Sequence, residues 1–264
     1  MSKYAHEFLQ VARLVPTAQQ VTSLKAGTPV RDALTTMRKG GFDQVPVCAG
    51  DRVIGVFSYR SLANSLAFLR RNDDPLDLPV EDAVEEAEFV RASHDVGTIV
   101  DLLEREGAVL VGEESRLDAV MTETDVMRYL WRATRPFVLL QDIELAIRSL
   151  MYQCCSRDEG VLGEVLERAL SRQRLAESDG TLSLEELTLG ELLGVLLHSE
   201  SYGRTFSASF GRNKGLVASM LEPVREVRNK VFHFRSDVSG EELDILVAAR
   251  QYLRRRVETT RAQS

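Results

Sequence analysis

The chain carries three chemically useful side chains in one short run, since residues 228–233 read RNKVFH. An arginine stays charged at neutral pH and can hold a phosphate through two parallel hydrogen bonds. A histidine near its reference pKa of about 6.5 can take or give a proton at neutral pH. Arg228 and His233 therefore suit acid–base chemistry at a phosphate, and Asn229 can orient the imidazole or bind a phosphate oxygen.

The helix that carries this run is predicted over Leu216 to Arg235, because its apolar residues recur at spacings of three and four. These residues form one stripe: Val217, Met220, Val224, Val227, Val231 and Phe234. With residues about 100° apart around a helix, His233 falls nearly opposite the stripe. Asn229 lies one turn before it, and Arg228 lies on the flank. The pattern predicts an imidazole that faces water, a partner subunit or a substrate.

The spacing Arg-Asn-x-x-x-His on a late helix of an all-α region resembles the motif of the HEPN ribonucleases. In that family two subunits pair so that their Arg and His residues line a shared cleft, which implies a homodimer. The resemblance implies metal-independent cleavage of RNA, with the ribose 2′-hydroxyl attacking the neighbouring phosphate. It assigns catalysis to Arg228, His233 and Asn229. Glu144 and Arg148, on an earlier helix, are similar to what HEPN domains show around their motif.

Cations cluster near this motif in a half of the chain that is neutral as a whole. The net charge of −7 lies in residues 1–131, and residues 132–264 hold equal numbers of acids and bases. A basic patch on a neutral domain can bind a phosphate backbone. We therefore expect cations near the motif and in a preceding loop to contact an RNA substrate. No DNA partner is expected. These cations are Lys230, Arg225, Arg235, Arg204 and Arg212.

The first half of the chain repeats itself. Two passages, over about residues 15–71 and 80–131, each read strand, helix, strand, strand, helix. Residues 72–80, which are polar and punctuated by proline, connect them. This pattern resembles a tandem CBS-domain pair, and a leading helix predicted at residues 3–14 suits that family.

The expected fold class is α+β, with an N-terminal tandem CBS pair over residues 1–131 and an all-α helical bundle of HEPN type over 132–264. A chain of 264 residues, 44% apolar and 28% charged, suits two soluble domains. It has no uncharged apolar run of about 18 residues, so no membrane partner is expected. Its three cysteines match neither a metal site nor a disulfide framework, which favours a cytoplasmic protein without bound metal.

In CBS pairs the last strand enters the last helix through a Gly-x-x-Ser/Thr-x-x-Asp signature. The family resemblance implies that the hydroxyl and the helix start hold a ligand's phosphates, while the carboxylate accepts hydrogen bonds from the ribose. The second copy has Thr122 and Asp125, with Ala119 in place of the glycine. The first copy has Ser58, but Ser61 occupies the position of the aspartate.

The resemblance therefore implies an adenine nucleotide, such as ATP, ADP or AMP, as a regulatory ligand. Its candidate contacts are Thr122, Asp125, Ser58 and Arg60. Arg60, in place of a neutral residue, favours a phosphate-rich ligand. Thr122 with Asp125, and Ser58 alone, are also good helix caps that need no ligand.

The second half is predicted to hold four to five helices. One is expected to start at Thr134-Arg135-Pro136, and Ser199 to Gly215 is expected to be a loop. Pro223 either kinks the motif helix or starts it afresh. Three helix starts have the sequence of capping boxes: Ser183 with Glu186, Thr188 with Glu191, and Ser239 with Glu242.

These features together predict a nucleotide-regulated, metal-independent endoribonuclease that requires no cofactor. The family resemblance implies a toxin-like enzyme of stress response or defence. The alternative is a non-catalytic sensor of adenine nucleotides, whose helical half mediates dimerisation or binds protein or RNA.

Overall fold

A computed structural model describes residues 9–15, 19–69, 74–86, 88–171, 182–234 and 237–263. The chain divides by its internal contacts into two units, Met1–Leu130 and Trp131–Ser264. The first unit mixes strands and helices, and the second is helical, as the α+β expectation requires. Within the described residues, none of the helices has the length and apolarity needed to cross a bilayer.

The first repeat builds a sheet in which a parallel pair is followed by an antiparallel hairpin. β1 (Leu24–Lys25) runs parallel to β2 (Gln44–Ala49), and β2 runs antiparallel to β3 (Arg52–Ser58). Helices α1 (Val30–Gly40) and α2 (Tyr59–Ser65) follow β1 and β3. The amphipathic α1 buries Val30, Ala33 and Met37 against this sheet, in a core that also holds Val45 and Phe57.

The second repeat follows the same plan. β4 (Val84–Glu85) completes the first sheet by pairing with β3, and β5 (Phe89–Val90) then opens the second sheet. Helix α3 (Gly97–Glu106) leads to the antiparallel hairpin of β6 (Ala108–Glu113) and β7 (Arg116–Thr122). β5 pairs parallel with β6, as β1 does with β2.

Both hairpins carry a β-bulge at the equivalent position. It falls between Val47 and Cys48 in the first repeat and between Val111 and Gly112, 64 positions later, in the second. Gly112 has a φ of +125°, and a Cβ there would collide with the carbonyl oxygen of Arg116. This bulge therefore requires glycine in the second repeat.

The two repeats exchange core residues. The segment before the first repeat packs into the core of the second repeat, and the segment before the second repeat packs into the core of the first. Val11 and Leu14 pack into the core of the second repeat, and Val80 and Ala83 pack into the core of the first. The backbone N–H groups of Val11 and Val80 donate hydrogen bonds of 2.9 and 2.8 Å to carbonyls of those same repeats. Of the leading helix predicted at residues 3–14, the described part contains a single 3-10 turn, Val11–Arg13, and residues 3–8 lie outside the described residues.

The second unit packs its helices around one apolar core. Its main helices are α4 (Glu123–Cys154, whose first residues belong to the first unit), α5 (Glu159–Ala169), α6 (Leu189–Leu196), the motif helix (Lys214–Phe232) and the last helix (Gly240–Gln263). The core includes Ile143, Ile147 and Leu150 from α4, each fully buried. All three capping boxes expected here are present, at Ser183, Thr188 and Ser239.

The structure corrects one prediction about the prolines of this unit and excludes one of the two alternatives for another. No helix begins at Thr134–Pro136, because α4 is already helical from Glu123 and continues through Pro136. The motif helix continues through Pro223 in the same way, so this proline does not start a new helix. The packing of both helices in the core outweighs the lost backbone hydrogen bond.

The predicted loop Ser199–Gly215 is also largely helical. A helical turn at Ser199–Ser201 leads into a π-helical turn, Tyr202–Phe206, and then a further turn, Ser207–Phe210. Tyr202, Phe206 and Phe210 are buried and recur every fourth residue, which places them on one face. Composition rich in Ser, Gly and Arg masked this aromatic periodicity.

We expect Gly112→Ala to destabilise the protein by about 1–3 kcal/mol, because the residue would be forced into a strained backbone conformation against a neighbouring carbonyl. Gly163→Ala is the matched control. Gly163 lies inside α5 with open space beside it, so the change should be neutral or stabilise by up to about 1 kcal/mol. Thermal unfolding followed by circular dichroism compares the two. Equal melting temperatures for both variants would show that the bulge does not constrain residue 112.

Candidate functional site

The rotation of the motif helix is set by its buried residues. Five apolar residues face the core: Val217, Leu221, Val224, Val227 and Val231. Four of them belong to the predicted stripe, whereas the assignment of Phe234 to the stripe is wrong, since its side chain is 85% exposed. The helix ends at Phe232, before the predicted end at Arg235, so Phe234 lies beyond the last turn and cannot follow the helical stripe.

His233 lies at the C-terminal cap of the motif helix and is exposed. Its backbone N–H donates to the carbonyl oxygen of Asn229 at 3.2 Å, which closes the last helical turn. The imidazole is thus held outside the core by the end of the helix, as the sequence predicts. A ring at this position is open to solvent and to a bound molecule.

Arg228 lies one turn earlier and is half-buried. Its guanidinium packs over the ring of Phe232, 4.8 Å from the ring centroid, in a cation–π contact. Its Nη1 donates to Oδ1 of Asn229 at 3.5 Å, whereas its buried Nε has no acceptor within the described residues. A buried N–H donor without a partner is costly, whereas the outer N–H groups of the guanidinium can donate to an anionic oxygen.

Asn229 contacts the arginine rather than the histidine. Across the described part of the chain, no hydrogen bond joins the Asn229 side chain to the His233 imidazole. Arg228 and His233 are five positions apart, which corresponds to about 140° around a helix of 3.6 residues per turn. One copy of the chain therefore presents the two groups on different sides of the helix end.

Lys230 is occupied within its own fold. Its ammonium donates to both carboxylate oxygens of Glu242, at 2.9 and 2.7 Å, and Glu242 also accepts from the backbone N–H of Ser239 at 2.7 Å. These bonds fasten the end of the motif helix to the start of the last helix. Lys230 therefore has a structural partner, and its predicted contact with RNA would have to compete with Glu242.

The other predicted RNA contacts are spread along the unit. Arg225 is exposed one turn before Arg228 and lies 3.5 Å from Glu226. Arg204 and Arg212 are exposed but precede the motif helix, whose first residue, Lys214, lies roughly 21 Å along the helix axis from Arg228 at 1.5 Å per residue. Arg212, two residues before this start, is therefore separated from the motif by most of the helix. Arg235 lies outside the described residues.

The pair Glu144 and Arg148 has a role inside the bundle. Arg148 donates through Nε and Nη2 to the carbonyl oxygens of Leu184 and Leu187, at 2.9 and 3.1 Å, and is paired with Glu144. The guanidinium thus holds the segment before α6 onto α4.

Cys155 is buried just after the end of α4. Burial raises the pKa of its thiol to about 11, so the thiol stays protonated at neutral pH.

The two strand-to-helix turns of the first unit have the same geometry. In the first, the Ser58 and Ser61 hydroxyls each accept a hydrogen bond from the backbone N–H of the other, at 2.8 and 2.9 Å. In the second, the Asp125 carboxylate accepts from the backbone N–H and the hydroxyl of Thr122, at 3.0 and 2.8 Å. Ser61 and Asp125 therefore have equivalent local roles, but Asp125 alone offers a carboxylate.

Arg60 already has anionic partners. Its Nε donates to Glu85 at 3.1 Å, its Nη2 lies 3.4 Å from Glu106, and Nη1 donates to the carbonyl oxygen of Arg105 at 3.3 Å. The hydrogen bond that Arg60 donates to Glu85 raises the pKa of Arg60 above its ordinary value. Two carboxylates thus balance the charge that was predicted to attract a phosphate-rich ligand.

Two cavities flank the first turn and differ in size. The cleft lined by Arg60, Glu85 and Glu106 encloses about 20 Å³, enough for a water molecule. A second cavity of about 380 Å³, lined by Ser61 and Asp82 among others, falls in the size range of small-molecule sites. Carboxylates line both cavities, so a phosphate would meet like charge at either place.

Part of the first unit is similar to a known family of domains. Residues 12–67 match the family model of the CBS domain. This range contains most of the first repeat, including Ser58, Arg60 and Ser61. No curated protein matches the chain.

Solved structures of CBS proteins are similar to part of the chain. A CBS-domain-containing protein from Agrobacterium tumefaciens is 18% identical with a TM-score of 0.40, over 46% of this chain and 97% of that one. CBSX2 in complex with AMP is 22% identical with a TM-score of 0.39, over 46% and 95%. A conserved CBS-domain protein from Thermoplasma acidophilum is 22% identical with a TM-score of 0.40, over 46% and 69%.

Sequence reasoning missed the aromatic surroundings of the motif. Phe137, on α4, packs edge to face against Phe232 with ring centroids 5.6 Å apart. The guanidinium of Arg228 packs over the ring of Phe232. The spacing of four between Arg228 and Phe232 is a signal for a contact along a helix. No local signal identifies Phe137, since the contact joins distant parts of the chain.

Glu242 makes stability depend on pH in a predictable direction. The hydrogen bonds from Lys230 and then Ser239 lower the pKa of Glu242 in the folded protein. A lowered folded pKa adds stability above the unfolded value of about 4.3, and that stability is lost as the pH falls through the folded value. We expect the melting temperature of Glu242→Gln to lie below that of the wild type at pH 7 and to approach it near pH 3. The exposed neighbour Glu241, changed to Gln, is the control, and a wild-type advantage that persists unchanged at pH 3 would contradict this account.

Proposed function

We propose that this protein senses an adenine nucleotide through its first unit and cleaves RNA through its second, in a metal-independent reaction between paired copies of the chain. The nucleotide would shift the enzyme between active and inactive states. Such coupling requires only that the ligand bind the two states with different affinity. The unit Trp131–Ser264 is proposed to be of HEPN type, and the second repeat of the first unit is proposed to be a second CBS domain.

The proposed nucleotide site is the turn at Thr122 and Asp125. A helix start offers free N–H donors to a phosphate, and α4 begins directly after Thr122. The Asp125 carboxylate uses one oxygen for its two bonds to Thr122, and its other oxygen, Oδ1, lies 3.8 Å from Nη1 of Arg128. A carboxylate has about four acceptor positions, so capacity remains for two ribose hydroxyls. The first copy lacks this carboxylate and has acidic cavities, which favours the second copy.

Nucleotide binding should raise the melting temperature of the full-length protein. A ligand at 100 times its Kd stabilises the folded state by about 2.7 kcal/mol. We expect at least one of AMP, ADP and ATP to produce this shift. Asp125→Asn should reduce the shift at the same ligand concentration, because the amide replaces an acceptor oxygen with a donor.

The matched control is Asp118→Asn, an exposed aspartate of the same repeat that pairs with Arg116. It should keep the wild-type shift. If none of the three nucleotides raises the melting temperature, the sensor assignment is contradicted. If both variants show the same rise as the wild type, Asp125 does not contribute to the site.

One observation carries the nuclease proposal. The exposed imidazole of His233 lies at the same helix end as a guanidinium whose buried Nε has no acceptor among the described residues. In the proposed reaction, one histidine takes the proton of the ribose 2′-hydroxyl, whose oxygen attacks the adjacent phosphorus. The bond from phosphorus to the 5′ oxygen breaks, a protonated histidine donates to that leaving oxygen, and the products are a 2′,3′-cyclic phosphate and a 5′-hydroxyl. Arg228 would hold the phosphate charge.

The two roles of histidine support pairing of two copies. A single chain has one His233, and its own Arg228 projects about 140° away around the helix. Two copies related by a twofold axis would supply two imidazoles and two guanidinium groups to one groove. Arg225, one turn before Arg228 on the same helix, would then lie along the phosphate backbone.

RNA cleavage in EDTA tests the nuclease directly. We expect the wild type to cut a labelled RNA in excess EDTA, and Arg228→Ala and His233→Ala each to lose at least about 100-fold in rate, the lower range for loss of an acid–base group. Arg254→Ala, which removes an exposed arginine paired with Glu258 on the last helix, is the matched control and should keep full activity. Intact RNA with the wild type, with and without nucleotides, would contradict the proposal.

The second candidate is a non-catalytic nucleotide sensor. It is favoured by the contacts that Arg228 already makes with Phe232 and Asn229, which give the guanidinium a packing role. In that case the nucleotide shift would be present, RNA would remain intact, and the helical unit would serve dimerisation or binding alone.

A further inference from the structure

The only tryptophan of the chain is exposed at the start of the second unit. Trp131 lies on α4, and 56% of its side chain is open to solvent. Val138 and Leu145 follow at intervals of seven residues and are 41% and 53% exposed. Residues seven apart lie two turns apart on one side of a helix. These three side chains form an apolar seam along α4, and the seam gains free energy only if a partner covers it.

A cavity lies towards the other end of the same helix. It encloses about 570 Å³ and is lined from α4 by Leu145, Arg148 and Tyr152, and from α5 by Leu162. Clefts of roughly 300–1,000 Å³ hold drug-sized ligands, so this one has room for one indole ring. Its walls combine apolar side chains with a guanidinium, and tryptophan is the best aromatic partner for a guanidinium. The helix that carries an exposed tryptophan thus also lines a cavity suited to one.

The charges around the tryptophan and around the cavity have opposite signs. Trp131 is followed by Arg132, and Arg135 lies one turn after the tryptophan. Two exposed acids, Glu159 and Glu185, line the cavity. A contact that brings the tryptophan of one copy to the cavity of another therefore brings cations to acids. Two copies of this chain are thus complementary to each other in shape and in charge.

We propose that two copies of the chain pair through antiparallel α4 helices, with Trp131 of each copy seated in the cavity of the other. Trp131 and Ser149, which lines the cavity, lie roughly 27 Å apart along the helix at 1.5 Å per residue. When these two levels are opposed in an antiparallel pair, the twofold axis is level with residue 140. Each contact then occurs twice, as a closed dimer requires. Val138 lies beside the axis, where its own symmetry mate covers it.

The same pairing places the end of each motif helix near the level of the twofold axis. Phe137, next to Val138 on α4, contacts the ring of Phe232 at the end of the motif helix, with centroids 5.6 Å apart. Phe137 is three residues, or roughly 4.5 Å along α4, from the level of the axis. A groove shared by two copies requires this arrangement. The link to catalysis rests on the nuclease proposed above, whereas the pairing surface depends on α4 and the cavity alone.

The single tryptophan reports on the proposed contact, because no other tryptophan contributes to the emission. We expect the full-length protein to change from monomer to dimer in sedimentation experiments as its concentration rises. The tryptophan emission should move to shorter wavelength over the same range, as the indole leaves water. Trp131→Ala should weaken dimerisation by at least about 30-fold in Kd, the effect of truncating a residue that dominates an interface.

A change at the cavity keeps the reporter. Leu145→Glu puts a charge where the indole would bind, so it should weaken dimerisation as Trp131→Ala does and hold the emission at long wavelength. Leu216→Glu, which changes a similarly exposed leucine at the start of the motif helix, is the matched control. It should keep the wild-type dimer and its short-wavelength emission.

Mixing the two variants separates a contact between copies from an effect within one copy. A dimer of one Trp131→Ala chain and one Leu145→Glu chain has one intact tryptophan facing one intact cavity, whereas a dimer of either variant alone has none. The mixture should therefore regain the mass of a dimer and the short-wavelength emission.

Three outcomes would overturn this pairing surface. They are a wild type that stays monomeric at every concentration, a dimer whose tryptophan emission stays at long wavelength, and a mixture that dimerises no better than either variant alone. If the wild type cuts RNA in EDTA despite one of these outcomes, the nuclease stands without this surface. A dimer that meets each expectation but cuts no RNA supports the surface and contradicts the nuclease.

Discussion

The burial of one apolar face of the motif helix is the constraint on which the candidate site depends. Once Val217, Leu221, Val224, Val227 and Val231 enter the core, the helix has no freedom to rotate. Each remaining residue then has a fixed direction. Arg228 falls on the flank, where it lies half-buried against an aromatic ring, and His233 is directed to solvent. The chemistry at this helix end is thus a consequence of packing along the whole helix.

The end of the same helix is set by a polar contact rather than by the core. Lys230 and Glu242 join the last turn to the cap of the next helix, with Ser239 completing the hydrogen bonds. This bond draws a cation away from the candidate substrate surface, and Arg225 is similarly close to Glu226. Among the described residues at this helix end, Arg228 is a cation without a carboxylate partner, and it packs on Phe232 instead.

The first unit illustrates a different constraint. Because each repeat takes core residues from the segment before the other, the two repeats depend on each other for a complete core. Within this shared scaffold the two turns have diverged at one position, with Ser61 in the first and Asp125 in the second. In both turns the side chain accepts a hydrogen bond from the backbone N–H of the residue three positions earlier. The divergence decides whether the turn has a carboxylate.

Much of the architecture follows from local sequence. The strand and helix order within each repeat, the helix caps at Thr188 and Ser239 and the exposed imidazole of His233 all depend on neighbours within a few positions, and the structure has each of them. The CBS family of residues 12–67 was recognisable for the same reason. Periodicity and capping are short-range effects, so a single sequence contains them in full.

The tertiary structure decided the features that depend on distant partners. Glu85 and Glu106 neutralise Arg60, and Phe137 braces Phe232, through contacts across many residues. The region Ser199–Phe210 became helical because the core accepts its buried aromatic residues, which outweighs a composition typical of loops. The motif helix ends at Phe232 rather than later, and that end alone determines that Phe234 leaves the core. Local pattern assigns residues to faces, but the energies of packing and charge pairing, which are summed over the whole fold, decide where each face ends.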